Sequence, residues 1–289
     1  MGSFWKCGSL NVPSETTTVK AEKRAPRILV VANQKGGVGK TTTAINLGTA
    51  LAAVGKPTLV IDLDPQGNAS TGLGIYQADR KLTSYDVLMG GAPIKDAVTP
   101  TRIPGLSVVP STVDLSGAEL ELVGQPRRNF RLRDALAKMA EEGSDFDYVL
   151  IDCPPSLNVL TVNAMAAADA AVVPLQCEFF ALEGLSQLLK TLELVRAGLN
   201  PKLEIQGIIL TMFDKRNNLS DQVAADVRAH LGDKVYQTVI PRNVRISEAP
   251  SHGLPALVYD LRCPGSQAYI KLAGELIQRE RVRTASIAA

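Results

Sequence analysis

The stretch Arg27-Ile28-Leu29-Val30-Val31-Ala32-Asn33-Gln34-Lys35-Gly36-Gly37-Val38-Gly39-Lys40-Thr41 decides the fold. Its first six residues read as a buried parallel strand, and Thr42 to Val54 carries apolar residues at helical spacing. Strand, glycine loop, helix is the order required of a nucleotide phosphate site. Glycines let backbone N–H groups close around an anion, a lysine reaches the outer phosphates, and a Ser/Thr hydroxyl suits Mg²⁺. Gly36, Gly37, Gly39, Lys40 and Thr41 supply these parts, with Val38 and Thr42 inside the same loop. The helix start adds its dipole and free N–H groups to the anion site. A turn that only joined a strand to a helix would not need the Gly-Lys-Thr ending. The first glycine of the ordinary pattern is here Gln34, and an extra cation, Lys35, follows it. The loop is therefore a variant, and spacing alone leaves Lys35 without a role.

The chain around this loop has 289 residues, enough for a full core. With 45% hydrophobic residues, 4% aromatic and a formal charge of +2, the composition is that of an ordinary globular protein. Any affinity for nucleic acid must then come from local patches and not from bulk charge. Cys7, Cys153, Cys177 and Cys263 have no metal-like spacing, and only His230 and His252 could assist them. A reducing cytoplasm is expected, with no apolar run of membrane-spanning length and no secretory signal. Residues 1–25, rich in Ser, Thr, Lys and Glu, read as a disordered lead in which Phe4 and Trp5 stand out.

From residue 26 to 289 short apolar runs alternate with amphipathic stretches, without a break for a second domain. Strands are expected at Arg27–Ala32, Thr58–Asp62, Leu106–Val109, Tyr148–Asp152, Ala170–Leu175, Leu203–Leu210 and Val235–Ile240. Helices fit Leu115–Val123, Asn129–Glu142, Asn158–Ala167, Glu183–Ala197, Ser220–Leu231 and Gly265–Arg283. The fold class is α/β: a doubly wound, mostly parallel sheet flanked by helices, of the phosphate-loop type, with ligands at the carboxyl ends of its strands.

Two acidic motifs end strands where a phosphate site would need them. One is Leu59-Val60-Ile61-Asp62-Leu63-Asp64-Pro65-Gln66-Gly67-Asn68; the other is Tyr148-Val149-Leu150-Ile151-Asp152-Cys153-Pro154-Pro155. An aspartate at such a strand end can hold Mg²⁺ through its water shell, since Mg²⁺ demands oxygen ligands and dehydrates reluctantly. Asp152 is the candidate, together with the Thr41 hydroxyl. Attack by water on a γ-phosphate also needs a group that orients the nucleophile, and Asp64, on a Pro-Gln-Gly turn, is better placed than Asp62. Singly, each aspartate also reads as a turn former.

Taken together, Lys-Gly-Gly-Val-Gly-Lys-Thr, Asp-Leu-Asp-Pro-Gln-Gly-Asn, Asp-Cys-Pro-Pro-Ser and the run Pro241-Arg242-Asn243-Val244-Arg245-Ile246-Ser247-Glu248-Ala249-Pro250-Ser251-His252-Gly253 resemble the ParA family of bacterial DNA-partition ATPases, in its chromosomal Soj form. The resemblance covers roughly residues 27–280. It implies ATP and Mg²⁺ as ligands and a homodimer that sandwiches ATP, with Lys35 reaching the phosphates held by the partner subunit. It also implies that Lys40 serves the phosphates of its own subunit, that Asp64 acts in hydrolysis, that Asp152 serves magnesium, and that Pro241 and Asn243 lie near the adenine. Arg216, Arg242 and Arg245 resemble the arginines with which the family holds double-stranded DNA without regard to sequence, although exposed loop arginines need no function. Arg245 also fits a place at the dimer or the nucleotide. The remaining implications are a centromere-binding partner of the ParB type, a place on the nucleoid, no membrane, and slow hydrolysis stimulated by partner and DNA.

Three rival readings share the variant loop or the phosphate chemistry. A MinD-like membrane-associated ATPase would need a bulky amphipathic C-terminus, whereas this chain ends Thr284-Ala285-Ser286-Ile287-Ala288-Ala289. An iron–sulfur reductase would need two cysteines per subunit at the dimer face. A kinase or synthetase would need an acceptor pocket, which sequence detects poorly. Arg279, Arg281 and Arg283 near the end of the last helix either join a cationic patch or complement the helix dipole.

Overall fold

The computed structural model describes residues 25–288; the lead with Phe4 and Trp5 lies outside the described residues. The strands are β1 (Arg27–Val31), β2 (Thr58–Asp62), β3 (Thr99–Pro100), β4 (Leu106–Val109), β5 (Tyr148–Asp152), β6 (Ala170–Gln176) and β7 (Glu204–Thr211). They form one sheet in the order β3-β4-β2-β5-β1-β6-β7. Only β3 runs antiparallel, pairing with β4 at one edge. The doubly wound, mostly parallel sheet expected from the sequence is thus the observed fold.

Alternation along each strand splits the core in two. Val30, Ile61, Val149, Ile151 and Val173 face one side, and Leu29, Val31, Val60, Leu150 and Val172 the other. On the first side lie α3 (Ser84–Met89), α4 (Ile94–Ala97), α5 (Leu115–Glu121), α6 (Arg131–Glu141), α7 (Val159–Ala167), α8 (Ala181–Gly198) and α9 (Asn218–Leu231). The second side carries α1 (Lys40–Ala53), α2 (Asn68–Gly72), α10 (Val244–Glu248), α11 (Ala256–Tyr259) and α12 (Pro264–Ala288). Helix α1 is buried almost all round, between the sheet and α12. Gly48 allows this: a Cβ there would stand 3.2 Å from Val60 and 3.3 Å from Leu106. On the far side of α1 the Tyr269 hydroxyl of α12 meets that of Thr43 at 3.3 Å.

One expected strand does not form. Along residues 235–240 a single isolated bridge, at Val235, joins β7, and a second, at Pro241, pairs with Phe213 just past the end of that strand. Tyr236 N–H donates to Ile208 O at 2.9 Å and Ile240 N–H to Leu210 O at 2.8 Å, so the segment does follow β7. The amides between them turn the other way: Gln237 and Thr238 N–H donate to the Glu275 carboxylate of α12 at 2.8 and 3.0 Å. A side chain from a distant helix has taken donors that a ladder would need.

Candidate nucleotide site

The carboxyl ends of β1, β2 and β5 lie side by side, because the register sets Val31 against Asp152 and Asp152 against Asp62. Into this notch the loop 33–39 delivers the start of α1. Gly37 and Gly39 have φ of +75° and +91°, a left-handed backbone that favours glycine. Val38 is buried and pins the loop to the core, while Lys35, Gly36 and Gly37 stay exposed. A Cβ at Gly36 or Gly37 would meet nothing within 4 Å, which leaves open space over the N-terminus of a 14-residue helix. These are the physical requirements of an anion cradle.

Lys40 is buried, and its Nζ donates to the carbonyl of Lys35 at 2.9 Å. Burial lowers its pKa, opposed by the charges of Asp152, Cys153 and Asp64. Asp152 is fully buried, with its carboxyl pushed well above the usual range by desolvation and by Asp62 beside it. The Thr41 hydroxyl lies close enough to oppose that rise, yet neither Asp152 oxygen has a protein hydrogen-bond partner. An unpartnered buried carboxylate is costly. A hard cation with oxygen ligands, held between Thr41 and Asp152, would remove that cost, so the donor set fits Mg²⁺.

Asp62 is differently employed. Its Oδ2 accepts from Ser70 N–H and Oγ at 2.8 and 2.7 Å, and its Oδ1 from Asp64 N–H at 3.2 Å. Burial raises its pKa to about 6, and it serves to fasten the loop that follows β2. Asp64 is 8% exposed and accepts one local bond, from Gln66 N–H at 3.0 Å. It is thus the carboxylate of the pair with capacity left to orient a water.

Sequence reasoning missed Arg80, which grips this loop. Its guanidinium donates to Ser111 O at 2.7 Å, Thr71 Oγ1 at 2.7 Å, Gly67 O at 3.2 Å and Ile75 O at 3.0 Å. Gly67, at φ +63°, has no room for a Cβ, which would stand 2.9 Å from Ser111 O and overlap that guanidinium. The glycine of Pro-Gln-Gly was a visible signal; Arg80 itself left none.

On the far side of the loop, Thr211 at the end of β7 donates its hydroxyl to Val38 O at 2.9 Å. Two residues on, Phe213 bridges Pro241, the first of the two residues expected near the adenine. Asn243 spends its Oδ1 on Arg245 N–H at 2.9 Å as the N-cap of α10. The three expected DNA-binding arginines do not form one cluster. Arg216 and Arg242 line a groove with Lys215 and Lys271, whereas Arg245 sits on α10 with Glu248 at 3.0 Å and Asp260 at 3.7 Å. Arg216 is held in a two-point fork by Asp214, at 3.0 and 2.9 Å. Arg279 donates to Val235 O and packs over the Tyr236 ring, and Arg283 pairs with Glu280, so these two are tied into the fold.

Residues 26–205 match the family model of an AAA domain. The chain is 68% identical over 262 residues, 91% of its length and 98% of the relative's, to the chromosome partitioning protein ParA of Caulobacter vibrioides. It belongs to the ParA family. It is also 52% identical over 250 residues, covering 86% of the chain and 98% of the relative, to the sporulation initiation inhibitor protein Soj of Bacillus subtilis. Among solved structures, cobyrinic acid a,c-diamide synthase from Mycobacterium smegmatis with bound ADP and magnesium superposes with a TM-score of 0.77 at 37% identity, covering 89% of this chain and 96% of the other. Among the described residues, Cys153, Cys177 and Cys263 are all buried free thiols, and none lies on the surface where the iron–sulfur reading would need its ligands. No described helix is long and apolar enough to cross a membrane.

Proposed function

We propose that the chain is a DNA-partition ATPase that hydrolyses ATP to ADP and phosphate as a switch. The observation that carries the nucleotide chemistry is Asp152, buried and unpartnered beside Thr41 at the start of α1. The partition role follows the ParA and Soj names of relatives that match nearly the whole chain.

In this reading the loop amides of residues 36–42 and Lys40 bind the phosphates. Lys40 Nζ gives one donor to the Lys35 carbonyl and has two more for the phosphates. Thr41, directly, and Asp152, through water, would hold Mg²⁺, which neutralises phosphate charge when bound. Asp64 orients the attacking water, and Arg80 keeps the Asp64 loop in place. Lys35 serves the ATP of the partner subunit, so contacts made through the γ-phosphate exist only in the dimer and end on hydrolysis. Pro241 and Asn243 border the adenine. Arg216, Arg242 and Arg245 hold DNA phosphates, which puts the ATP dimer on the nucleoid, and a ParB-like protein stimulates release. Basal hydrolysis is slow, because a switch that turned over at once would not dwell on DNA.

The test is retention on plasmid DNA of arbitrary sequence with ATP, ADP or no nucleotide across a salt series. Binding with ATP alone, weakening steeply with salt, is expected. Equal binding in all three states would overturn the reading, as would binding to liposomes in place of DNA.

A further inference from the structure

Each residue that leads into the glycine loop is tied to one neighbouring segment, the end of β6 and the helix after it. Asn33 Nδ2 donates to Pro174 O at 2.8 Å, and Asn33 Oδ1 accepts from Lys35 N–H at 3.0 Å. Gln34 Nε2 donates to Thr191 Oγ1 on α8 at 2.7 Å. The Lys35 ammonium forms an ion pair with the carboxylate of Glu178, in the turn between β6 and α8. The Lys35 carbonyl is also engaged, by Lys40 Nζ.

We propose that Glu178 is a positioning residue that holds Lys35 within its own subunit, so that the ATP sandwich forms only as this ion pair breaks. The proposal rests on the reading of Lys35 as the cross-subunit lysine. Glu178 and a phosphate in another subunit compete for one ammonium, which Glu178 holds against its own subunit. Its side chain is 43% exposed and that of Glu178 31%, so the pair is accessible enough to exchange. Two events act on it from opposite ends. A phosphate bound by Lys40 competes with the Lys35 carbonyl for the same ammonium and so weakens the tie on the backbone behind Lys35. A second copy docking over this edge covers Phe179 and Phe180, which are 76% and 61% exposed and directly follow Glu178 in the chain. Nucleotide and partner thereby act on the same pair, which makes dimerisation depend on both.

An exposed pair of this kind shifts an equilibrium by up to about fivefold, and two break per dimer, so the effect on the dimer constant reaches roughly 25-fold at most. The experiment measures dimer dissociation by analytical ultracentrifugation with Mg²⁺ and a non-hydrolysable ATP analogue. Glu178→Gln should tighten the dimer by about 2- to 25-fold. Glu178→Asp, which keeps the charge, should stay close to wild type. So should Glu183→Gln, which makes the same charge change on the exposed face of α8. A second measurement needs no dimer: acylation of Lys35 in the nucleotide-free chain, followed by peptide mass spectrometry, should rise in Glu178→Gln. A dimer constant that ignores Glu178→Gln, or weakens with it, overturns the proposal alone, and so does unchanged acylation. A wild-type chain that stays monomeric with the analogue overturns the sandwich reading and the proposal with it.

Discussion

Both carboxylate oxygens of Asp152 are buried without a partner, so an amide there removes a cost that the folded chain otherwise bears. Asp152→Asn should therefore raise the melting temperature of the nucleotide-free protein by about 2–5 °C while abolishing the further stabilisation by Mg²⁺ and ATP. Calorimetry with and without ligand checks both halves, and a lower melting point without ligand would count against the assignment. Asp64 makes the opposite case, since it is close to the site yet only lightly bonded. Asp64→Ala should keep ATP binding and slow phosphate release by roughly a hundredfold or more; undiminished release would refute its hydrolytic role. Much of this site was legible in the sequence, because residue type and spacing dictate the chemistry: glycines that must turn left-handed, a lysine and threonine at a helix start, aspartates where strands end. Glu178 and Arg80 were not legible. Each acts across a tertiary approach that leaves no local period, and nothing in the order of residues places Glu178 against Lys35.

At the scale of elements, the loop after β2 depends on Arg80, whose guanidinium replaces water for several backbone carbonyls at once. Arg80→Ala would strand those acceptors and should cost about 1–3 kcal/mol of stability. It should also lower the turnover number more than the affinity for ATP, as urea unfolding and steady-state kinetics would show. Lysine should not rescue it, because a point charge cannot reproduce the planar fork. The segment 235–240 depends likewise on Glu275. Desolvation would raise the pKa of that carboxyl, but N–H donors from Thr238 and Gln237 overcome it, and the net shift is downward. A depressed pKa contributes stability that is present above the unfolded value and is lost as pH falls through the folded one. Wild type should thus be more stable than Glu275→Gln near neutrality, with the difference closing as the pH drops below the ordinary glutamate range. Melting curves from about pH 7 down to about pH 3 would reveal it. The same glutamate explains why the apolar, β-prone stretch Val235–Ile240 did not become a strand. The central strands, buried on both faces, followed their pattern closely. The short helices α2, α4, α10 and α11 went unread because so few residues carry no period. The Thr83–Asp86 capping box ahead of α3 was readable and unused.

For the molecule as a whole, a formal charge of +2 cannot hold DNA by bulk attraction, so affinity must depend on where the cations stand. In the groove they share, Arg216 is already forked to Asp214, whose carboxyl the arginine holds down at about 2. Arg216→Glu together with Arg242→Glu should abolish ATP-dependent retention on DNA and leave the ATP dimer intact. Arg242→Ala alone should reduce the salt slope of binding by about 1 for each DNA phosphate that the arginine neutralises, read by fluorescence anisotropy on short duplexes. Both margins of the sheet have a further consequence. At one, β3 is only two residues long, and Pro100 offers no donor. At the other, residues 235–241 overlie β7, with the amides of Gln237 and Thr238 turned towards Glu275. Among the described residues, neither margin is a long, open edge strand, the usual route by which sheets join edge to edge into fibres. In the DNA-bound state proposed above, copies at high local density can thus pack closely without joining edge to edge.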